Sequence, residues 1–290
     1  MDRIAYLACA VTLPGAPNRR SDAFEHDQDY DAIAEPLRLA GYALEAVSWD
    51  NTTVDWSVYK AAIIRTTWDY WDRRDEFLSQ LDAISDKTRV FNPPSLVRWN
   101  IRKTYLRELE STGVRIIPTL WIDHPDADAV ADAFDALNAD DVVFKRQIGA
   151  GAEGQVRLRR GEATPTFVHP MMAQAFVPSI QTEGEYSFVF VDGEFSHALV
   201  KRARAGDYRI QTAYGGVEDA VTPSEHDLSL ARGVLAALDA PPLYARIDMV
   251  RASDGELMLM ELEIIEPFLY PLQGPNFGAL MADAIVRRLR

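Results

Sequence analysis

Three carboxylates near the C-terminus lie on two segments that alternate polar and apolar residues, as β-strands do. Glu261 and Glu263 share one strand face, because side chains two residues apart point the same way, and Asp248 lies on the other segment. The Asp-Gly pair at residues 254–255 predicts a hairpin that brings the three carboxylates together. Carboxylates this close repel one another unless a cation lies among them, and oxygen ligands beside phosphates suit Mg²⁺. The pattern predicts a magnesium site with two ions; a solvated strand face with incidental charges is the alternative.

A glycine-rich loop, residues 149–154, follows a predicted strand; its glycines are Gly149, Gly151 and Gly154. Residues 155–159 alternate polar and apolar, so the loop joins two antiparallel strands and does not open the helix that a dinucleotide-binding loop requires. Gln155 occupies the position of the lysine in a Walker loop, which excludes that nucleotide fold. The sequence therefore predicts a flap whose backbone amides close over phosphates, with an ordinary hairpin turn as the alternative.

Two lysines are candidates for binding phosphate oxygens. Lys145 ends the strand that enters the glycine loop, and Lys103 is predicted to lie on a helix over residues 100–110. Taken singly, each lysine is more often a solvated surface residue than a phosphate ligand.

A cluster of polar and aromatic residues follows the apolar strand predicted over residues 61–64. Ligands of open α/β units bind at the carboxyl ends of the strands, where Arg65, Trp68 and Tyr70 are expected. The hypothesis is that Arg65 binds a substrate carboxylate through its forked guanidinium while an aromatic ring forms the pocket wall. The alternative is that these side chains pack against the next domain.

The remaining pattern predicts an α/β fold that is α+β in part. Residues 1–97 alternate strands and helices, as in an open unit with a mainly parallel sheet, and Pro93-Pro94 marks its boundary. Later strands alternate with period two around two amphipathic helices, which indicates antiparallel sheets. On the strand that carries Glu261 and Glu263, the pattern predicts that Met260 belongs to the buried face.

Together these motifs resemble the ATP-grasp superfamily, especially its glutathione-synthetase-like and RimK-like ligases, over residues 100–278. The resemblance also includes the segments at residues 184–187, 206–209 and 215–216. It implies a substrate-binding unit at residues 1–97, a central subdomain with the flap at 98–175, and a C-terminal subdomain with the magnesium site at 176–290. The two subdomains would grip ATP between them.

The resemblance also implies a role for individual residues. Lys103 and Lys145 would bind ATP phosphates, and the backbone of residues 174–177 would hold adenine. The other implied residues fall into four groups: Gln174, Phe176 and Val177 at the adenine; Glu183 or Glu185 near the nucleotide; Lys201, Arg209 and Arg246 at the γ-phosphate and acyl phosphate; and Asp248, Glu261 and Glu263 at Mg²⁺. Many family members have asparagine at the position of Glu263, which leaves the geometry of the second ion open.

The function implied by the resemblance is ATP-dependent ligation. A small, amino-acid-like carboxylate would be phosphorylated by ATP, and an amine would displace phosphate from the acyl phosphate to form an amide. Three alternatives stay open: an intramolecular ring closure of the kind that forms cycloserine, a kinase that stops at phosphorylation, and a nucleotide-binding protein without ligase activity.

The composition limits the partners of the chain. With a net charge of −14 in 290 residues, neither nucleic acid nor an anionic membrane surface is expected as a partner. Cys9 is the single cysteine and lies in an apolar run, so a buried, unreactive thiol is expected. No apolar run approaches the length of a membrane span, and a cytoplasmic location is expected; the oligomeric state is left open.

Overall fold

Four parallel strands form the N-terminal sheet. The structure, a computed structural model, describes residues 1–203 and 216–290. The elements of this unit are β1 (Asp2–Ala8), α1 (Phe24–Leu39), β2 (Tyr42–Ser48), β3 (Tyr59–Thr66), α2 (Arg74–Ser85) and β4 (Arg89–Phe91). The strand order is β2-β1-β3-β4, which confirms the predicted parallel sheet. The short strand β4 has no counterpart among the sequence predictions.

A second, antiparallel sheet follows two short helices. Its unit contains α3 (Pro94–Asn100), α4 (Tyr105–Ser111), β5 (Thr119–Ile122), α5 (Ala127–Ala136), β6 (Asp141–Arg146), β7 (Val156–Arg159) and β8 (Met171–Ala175). The strand order is β5-β8-β6-β7, so β6 and β7 are the antiparallel pair that was predicted to flank the glycine loop.

The helix predicted over residues 100–110 is wrong in one respect that matters for the site. The chain forms a turn between α3 and α4, and Lys103 lies in that turn. Its backbone amide donates to the carbonyl of Gln147 at 2.8 Å instead of to a carbonyl of the preceding helical turn. The turn therefore attaches Lys103 to the chain that leaves β6.

The third sheet is also antiparallel and carries the predicted magnesium ligands. Its unit contains α6 (Ser179–Thr182), β9 (Glu185–Val191), β10 (Glu194–Arg202), β11 (Val217–Val221), α7 (Glu225–Ala236), β12 (Tyr244–Arg251), β13 (Leu257–Glu263) and α8 (Phe277–Leu289). The strand order is β11-β10-β9-β12-β13. Ser224 accepts a hydrogen bond from the amide of Asp227 at 3.0 Å and caps the N-terminus of α7. No helix within the described ranges is both long and apolar enough to cross a membrane.

The N-terminal sheet and the third sheet share one hydrophobic core. Ile4 and Leu37 of the N-terminal unit pack in the same cluster as Val189 of β9 and Phe277 of α8. Helix α8 reaches α1 closely at Gly278, where a Cβ atom would lie only 1.8 Å from the carbonyl oxygen of Ala32. The second sheet instead has a cluster of its own, which includes Phe134, Phe144 and Leu158.

Arg65 contributes to this shared interface and does not line the large cavity described below. Its side chain is 1% exposed, and its Nε and Nη2 atoms each donate to a carboxylate oxygen of Asp29 at 2.9 Å. Nη2 also donates to the carbonyl of Pro267 at 2.8 Å, and the guanidinium lies 4.5 Å from the ring centroid of Tyr244. Because Asp29 already binds the forked guanidinium of Arg65, this geometry favours the alternative in which Arg65 packs against the next domain over binding of a substrate carboxylate.

Replacing Arg65 with methionine is expected to destabilise the protein. The change leaves the Asp29 carboxylate buried without its cation, which costs about 3–5 kcal/mol and corresponds to a fall in melting temperature of about 6 °C or more. Thermal unfolding monitored by circular dichroism measures this. Arg38→Met, which removes an exposed pair with Glu35, is the control and should leave the melting temperature almost unchanged. An Arg65→Met protein as stable as the wild type would contradict the structural role.

Candidate active site

A cavity of about 640 Å³ lies where the three sheets meet. The N-terminal unit contributes Trp68 and Tyr70, and the second sheet contributes Lys145 with the glycine loop. The third sheet contributes charged side chains from four strands, namely Glu185, Lys201, Arg246, Asp248, Glu261 and Glu263. The cavity therefore gathers most of the residues that the sequence singled out.

Strands β12 and β13 form the antiparallel pair that the sequence predicted. Asp248 lies opposite Glu261, and Arg246 lies opposite Glu263. The register shifts next to Asp248, because Met249 pairs with Leu259, so β13 has one extra residue there. The extra residue is Met260, which is only half-buried and lines the cavity. The prediction that Met260 belongs to the buried face is therefore wrong, and the bulge is the physical reason.

Arg246 and Asp248 form the centre of the charged cluster, and both are buried. Arg246 donates from Nε and Nη2 to the Asp248 carboxylate at 2.8–3.0 Å and from Nη1 to the carbonyl of Phe268 at 3.0 Å. It also pairs with Glu263, while the hydroxyl of Ser187 donates to Asp248. Burial alone would raise the pKa of Asp248, but Arg246 and Lys201 outweigh it and hold the pKa well below its usual range.

Lys201 on β10 extends this cluster toward β9. Its ammonium pairs with Glu185 and lies 3.4 Å from Asp248. Burial acts to lower the pKa of Lys201, but Asp248 and Glu185 raise it, so the lysine is charged at neutral pH. Burial raises the pKa of Glu185 to about 7, although Lys201 opposes the shift.

Lys103 and Glu261 form the next ion pair along the cavity. The Lys103 ammonium contacts Glu261 and also donates to the carbonyl of Gly149 at 3.2 Å, at the start of the glycine loop. As the carboxylates are arranged, no three metal-binding side chains of residues 1–203 and 216–290 stand close enough together to hold one ion. Asp248, Glu261 and Glu263 nevertheless supply oxygen donors on adjoining strands, which is the donor type that Mg²⁺ prefers.

Lys145 differs from these cations because no ion pair or side-chain hydrogen bond joins it to any described residue. It lines the cavity beside the glycine loop, and burial lowers its pKa. Gly149 and Gly151 line the cavity too, whereas Gly154 does not. Gly154 has a φ of +67°, and a Cβ atom there would lie 2.6 Å from Nε of Arg146, so this position requires glycine.

The far end of the cavity is apolar. Gln174, Phe176 and Val177 line it as the resemblance implied, and Gln174 donates to the hydroxyl of Thr119 at 2.9 Å. The other apolar side chains of this end are Ile117, Ile180, Val250 and Met260. These apolar side chains form a surface that suits the flat face of a nucleobase. Glu183 is absent from the lining and accepts a hydrogen bond from Arg251 at 3.0 Å, so Glu185 is the one of the two that reaches the cavity.

The end formed by the N-terminal unit includes residues that the sequence analysis missed. They are Arg20, Asp22, Glu25, Glu266, Phe268 and Tyr270. Trp68 reaches this end and donates from Nε1 to the carbonyl of Glu266 at 3.2 Å. Tyr270 has a φ of +48°, which is strained for a side chain of this size and turns its ring toward Lys201 and Arg246. None of these residues carries a local motif, because partners distant in the sequence bring them together. Arg209, the remaining predicted residue, lies outside the described ranges.

Comparison with known proteins matches two parts of the chain to described families. Residues 4–92 match the N-terminal domain of D-cycloserine synthetase DcsG, and residues 138–267 match the ATP-grasp domain of prokaryotic glutathione synthetase.

Individual relatives agree with both matches. The chain is 32% identical to the cycloserine biosynthesis protein DcsG of Streptomyces lavendulae over the full length of both proteins. The crystal structure of D-cycloserine synthetase DcsG superposes with a TM-score of 0.87 at 30% identity and covers 99% of this chain and 100% of that one. Glutathione synthetase of Parasynechococcus marenigrum is 31% identical over 70% of this chain and 65% of its own length.

Lys145→Ala is expected to weaken nucleotide binding without weakening the fold. The side chain has no partner to lose, and burial disfavours its charged form and lowers its pKa, so its removal should leave the melting temperature equal or slightly higher. Loss of one charged contact to phosphate, about 1.5–3 kcal/mol, should raise the Kd of a non-hydrolysable ATP analogue by about 10-fold or more. Calorimetric titration with Mg²⁺ present measures this, and Lys60→Ala at an exposed position is the control. Equal affinity in both variants would remove Lys145 from the phosphate site.

Proposed function

The chain belongs to the ATP-grasp family and is an ATP-dependent, ADP-forming C–N ligase; from this premise we propose that it closes a ring within one substrate molecule. The substrate would be a D-serine derivative whose side-chain oxygen carries a nitrogen atom, and the product would be D-cycloserine. The coarser activity, activation of an amino-acid-like carboxylate by ATP, is common to the ring-closing and the intermolecular alternatives.

The match of residues 4–92 carries this proposal. The ATP-binding part of the chain resembles glutathione synthetases and DcsG alike, so it does not distinguish ring closure from joining two molecules. The N-terminal unit supports ring closure, because it matches the DcsG N-terminal domain and supplies Trp68, Tyr70 and Glu25 to the cavity. A cavity end built from that unit is where a substrate would lie.

In the proposed reaction, a carboxylate oxygen of the substrate attacks the γ-phosphorus of ATP, and the bond to the β-phosphate oxygen breaks to release ADP. The oxygen-bound nitrogen then attacks the acyl carbon, phosphate leaves, and the nitrogen loses a proton to solvent. Lys145 and the glycine-loop amides would orient the triphosphate, while Arg246 and Lys201 would neutralise charge on the transferred phosphoryl group. Closure of the loop would exclude the water that hydrolyses acyl phosphates.

ATP-grasp ligases use ATP together with Mg²⁺, and we propose that Asp248, Glu261 and Glu263 hold it here. Mg²⁺ bound at these oxygens would offset the negative charge that develops on the phosphates. Each of the three carboxylates is currently held by Arg246, Lys201 or Lys103. Binding of the metal nucleotide would therefore exchange ion pairs, and Lys103 is the cation best placed to move from Glu261 to a phosphate.

Product analysis distinguishes ring closure from intermolecular ligation. The purified protein would be incubated with ATP, Mg²⁺ and O-amino-D-serine, with no added amine. We expect ADP and phosphate in equal amounts and D-cycloserine by mass spectrometry. Phosphate release that requires an added amine would instead establish an intermolecular ligase, and ADP release with accumulation of a phosphorylated product would establish a kinase.

Glu261→Gln is expected to lower ADP production by at least about 100-fold, because one anionic oxygen at the metal becomes neutral. A loss of about 100-fold is equivalent to about 2.7 kcal/mol of transition-state stabilisation. The melting temperature should change little, since Glu261 is only partly buried. A coupled assay for ADP measures the rate, and the exposed Glu110→Gln serves as the control. Normal turnover in a stably folded Glu261→Gln protein is the result that would end the metal assignment.

A further inference from the structure

Two carboxylates that line the cavity, Glu25 and Glu266, differ from the others because no lysine or arginine of the described residues forms an ion pair with them. Each of the other carboxylates that line the cavity is ion-paired with a lysine or arginine of the described residues. Neither Glu25 nor Glu266 forms an ion pair or a hydrogen bond with another side chain in residues 1–203 and 216–290. Burial, together with neighbouring carboxylates, raises the pKa of Glu25 to about 7 and that of Glu266 to about 8.

The two residues stand in different parts of the cavity. Glu266 is influenced by Glu263 and Lys103, which belong to the proposed metal and phosphate region. Glu25 lies in the first turn of α1, and the charges that act on it are those of Glu218, Asp22, Arg246 and Arg20. Glu25 thus belongs to the N-terminal unit, whereas Glu266 follows the strand that carries the proposed metal ligands.

The surroundings of Glu25 suit a cation that arrives with the substrate. Arg20 does not neutralise it, because the Arg20 guanidinium binds Asp22 through two hydrogen bonds of 2.8 and 2.6 Å and lies 5.6 Å from the Trp68 ring centroid. Aromatic rings line the same end of the cavity, among them Trp68 and Phe268, and such rings attract ammonium groups. A partly buried carboxylate without a partner is costly, and a ligand ammonium would offset that cost.

We propose that Glu25 binds the ammonium group of an α-amino acid substrate whose carboxylate lies beside Arg246, so that this residue selects zwitterionic substrates. The inference rests on the proposed function and adds the substrate contact that the N-terminal unit makes. Arg246 and the unpaired Glu25 carboxylate line the same cavity, so one cation and one anion are available there for the carboxylate and the ammonium of an amino acid.

The alternative is that Glu25 has only a structural role and stabilises the positive end of the α1 dipole. Asp27 lies in the same first turn and is an equally good dipole partner, but it pairs with Arg19 and does not line the cavity. Asp27→Asn therefore changes the charge of the helix terminus without changing the cavity, and it is the matched control for Glu25→Gln.

The experiment compares two ring compounds that differ by the ammonium group alone. D-cycloserine carries it and isoxazolidin-3-one lacks it, and both would be titrated calorimetrically into the protein in the presence of ADP and Mg²⁺. The wild type is expected to bind D-cycloserine at least about 10-fold more tightly than isoxazolidin-3-one, a difference of about 1.4 kcal/mol. In Glu25→Gln the two affinities should agree within about threefold, whereas Asp27→Asn should keep the wild-type ratio.

Each contrary outcome has one meaning. A wild type that binds the two compounds equally, or a Glu25→Gln protein that keeps the full ratio, overturns the role of Glu25 while leaving the ring-closing function intact. A wild type that binds neither compound overturns the proposed product and with it this inference. Glu25→Gln should fold normally, because its neutral side chain resembles the protonated acid that burial favours, and a melting curve checks this.

Discussion

The buried pair of Arg246 and Asp248 is the interaction on which the site depends. Removing two charges from water costs several kcal/mol for each ion, and one ion pair seldom recovers it. Here Asp248 also receives the hydroxyl of Ser187 and the charge of Lys201, while Arg246 reaches the carbonyl of Phe268. The pair is tolerated because these additional contacts satisfy both partners, and they also fix the two charges in place before any substrate binds.

This fixed charge pattern suits phosphoryl transfer, in which the protein mainly positions reactants and neutralises charge. Lys201, held between Glu185 and Asp248, keeps its proton despite burial, and Arg246 cannot lose its own. Lys145 is different, because burial lowers its pKa and no described carboxylate holds it. Lys145 thus has no ion-pair partner among the described residues, whereas Lys103, Lys201 and Arg246 are already paired with carboxylates.

The sequence predicted what local periodicity can encode and little beyond it. Alternation placed Glu261 and Glu263 on one face, and the paired register of β12 and β13 agrees. The bulge at Met260 could not be predicted, because a one-residue insertion is set by pairing with β12 and not by the residue itself. Arg65 was placed correctly at the end of β3, but its partners Asp29 and Pro267 are 36 and 202 residues away in the chain. Its burial therefore depends on tertiary packing, which alternation does not reveal.

The segment that follows β13 connects the third sheet to the N-terminal unit. Asn92 donates to the carbonyl of Ile264 at 2.7 Å, Trp68 to that of Glu266, and Arg65 to that of Pro267. The segment that continues the strand of the proposed metal ligands is thus hydrogen-bonded to the N-terminal unit through three of its backbone carbonyls. Since that unit also shares a core with the third sheet, separating the two would expose apolar surface and break buried hydrogen bonds. The second sheet has a cluster of its own, but Met172 of β8 also packs with Phe188 of β9 and Leu259 of β13, so this sheet too is attached to the third sheet.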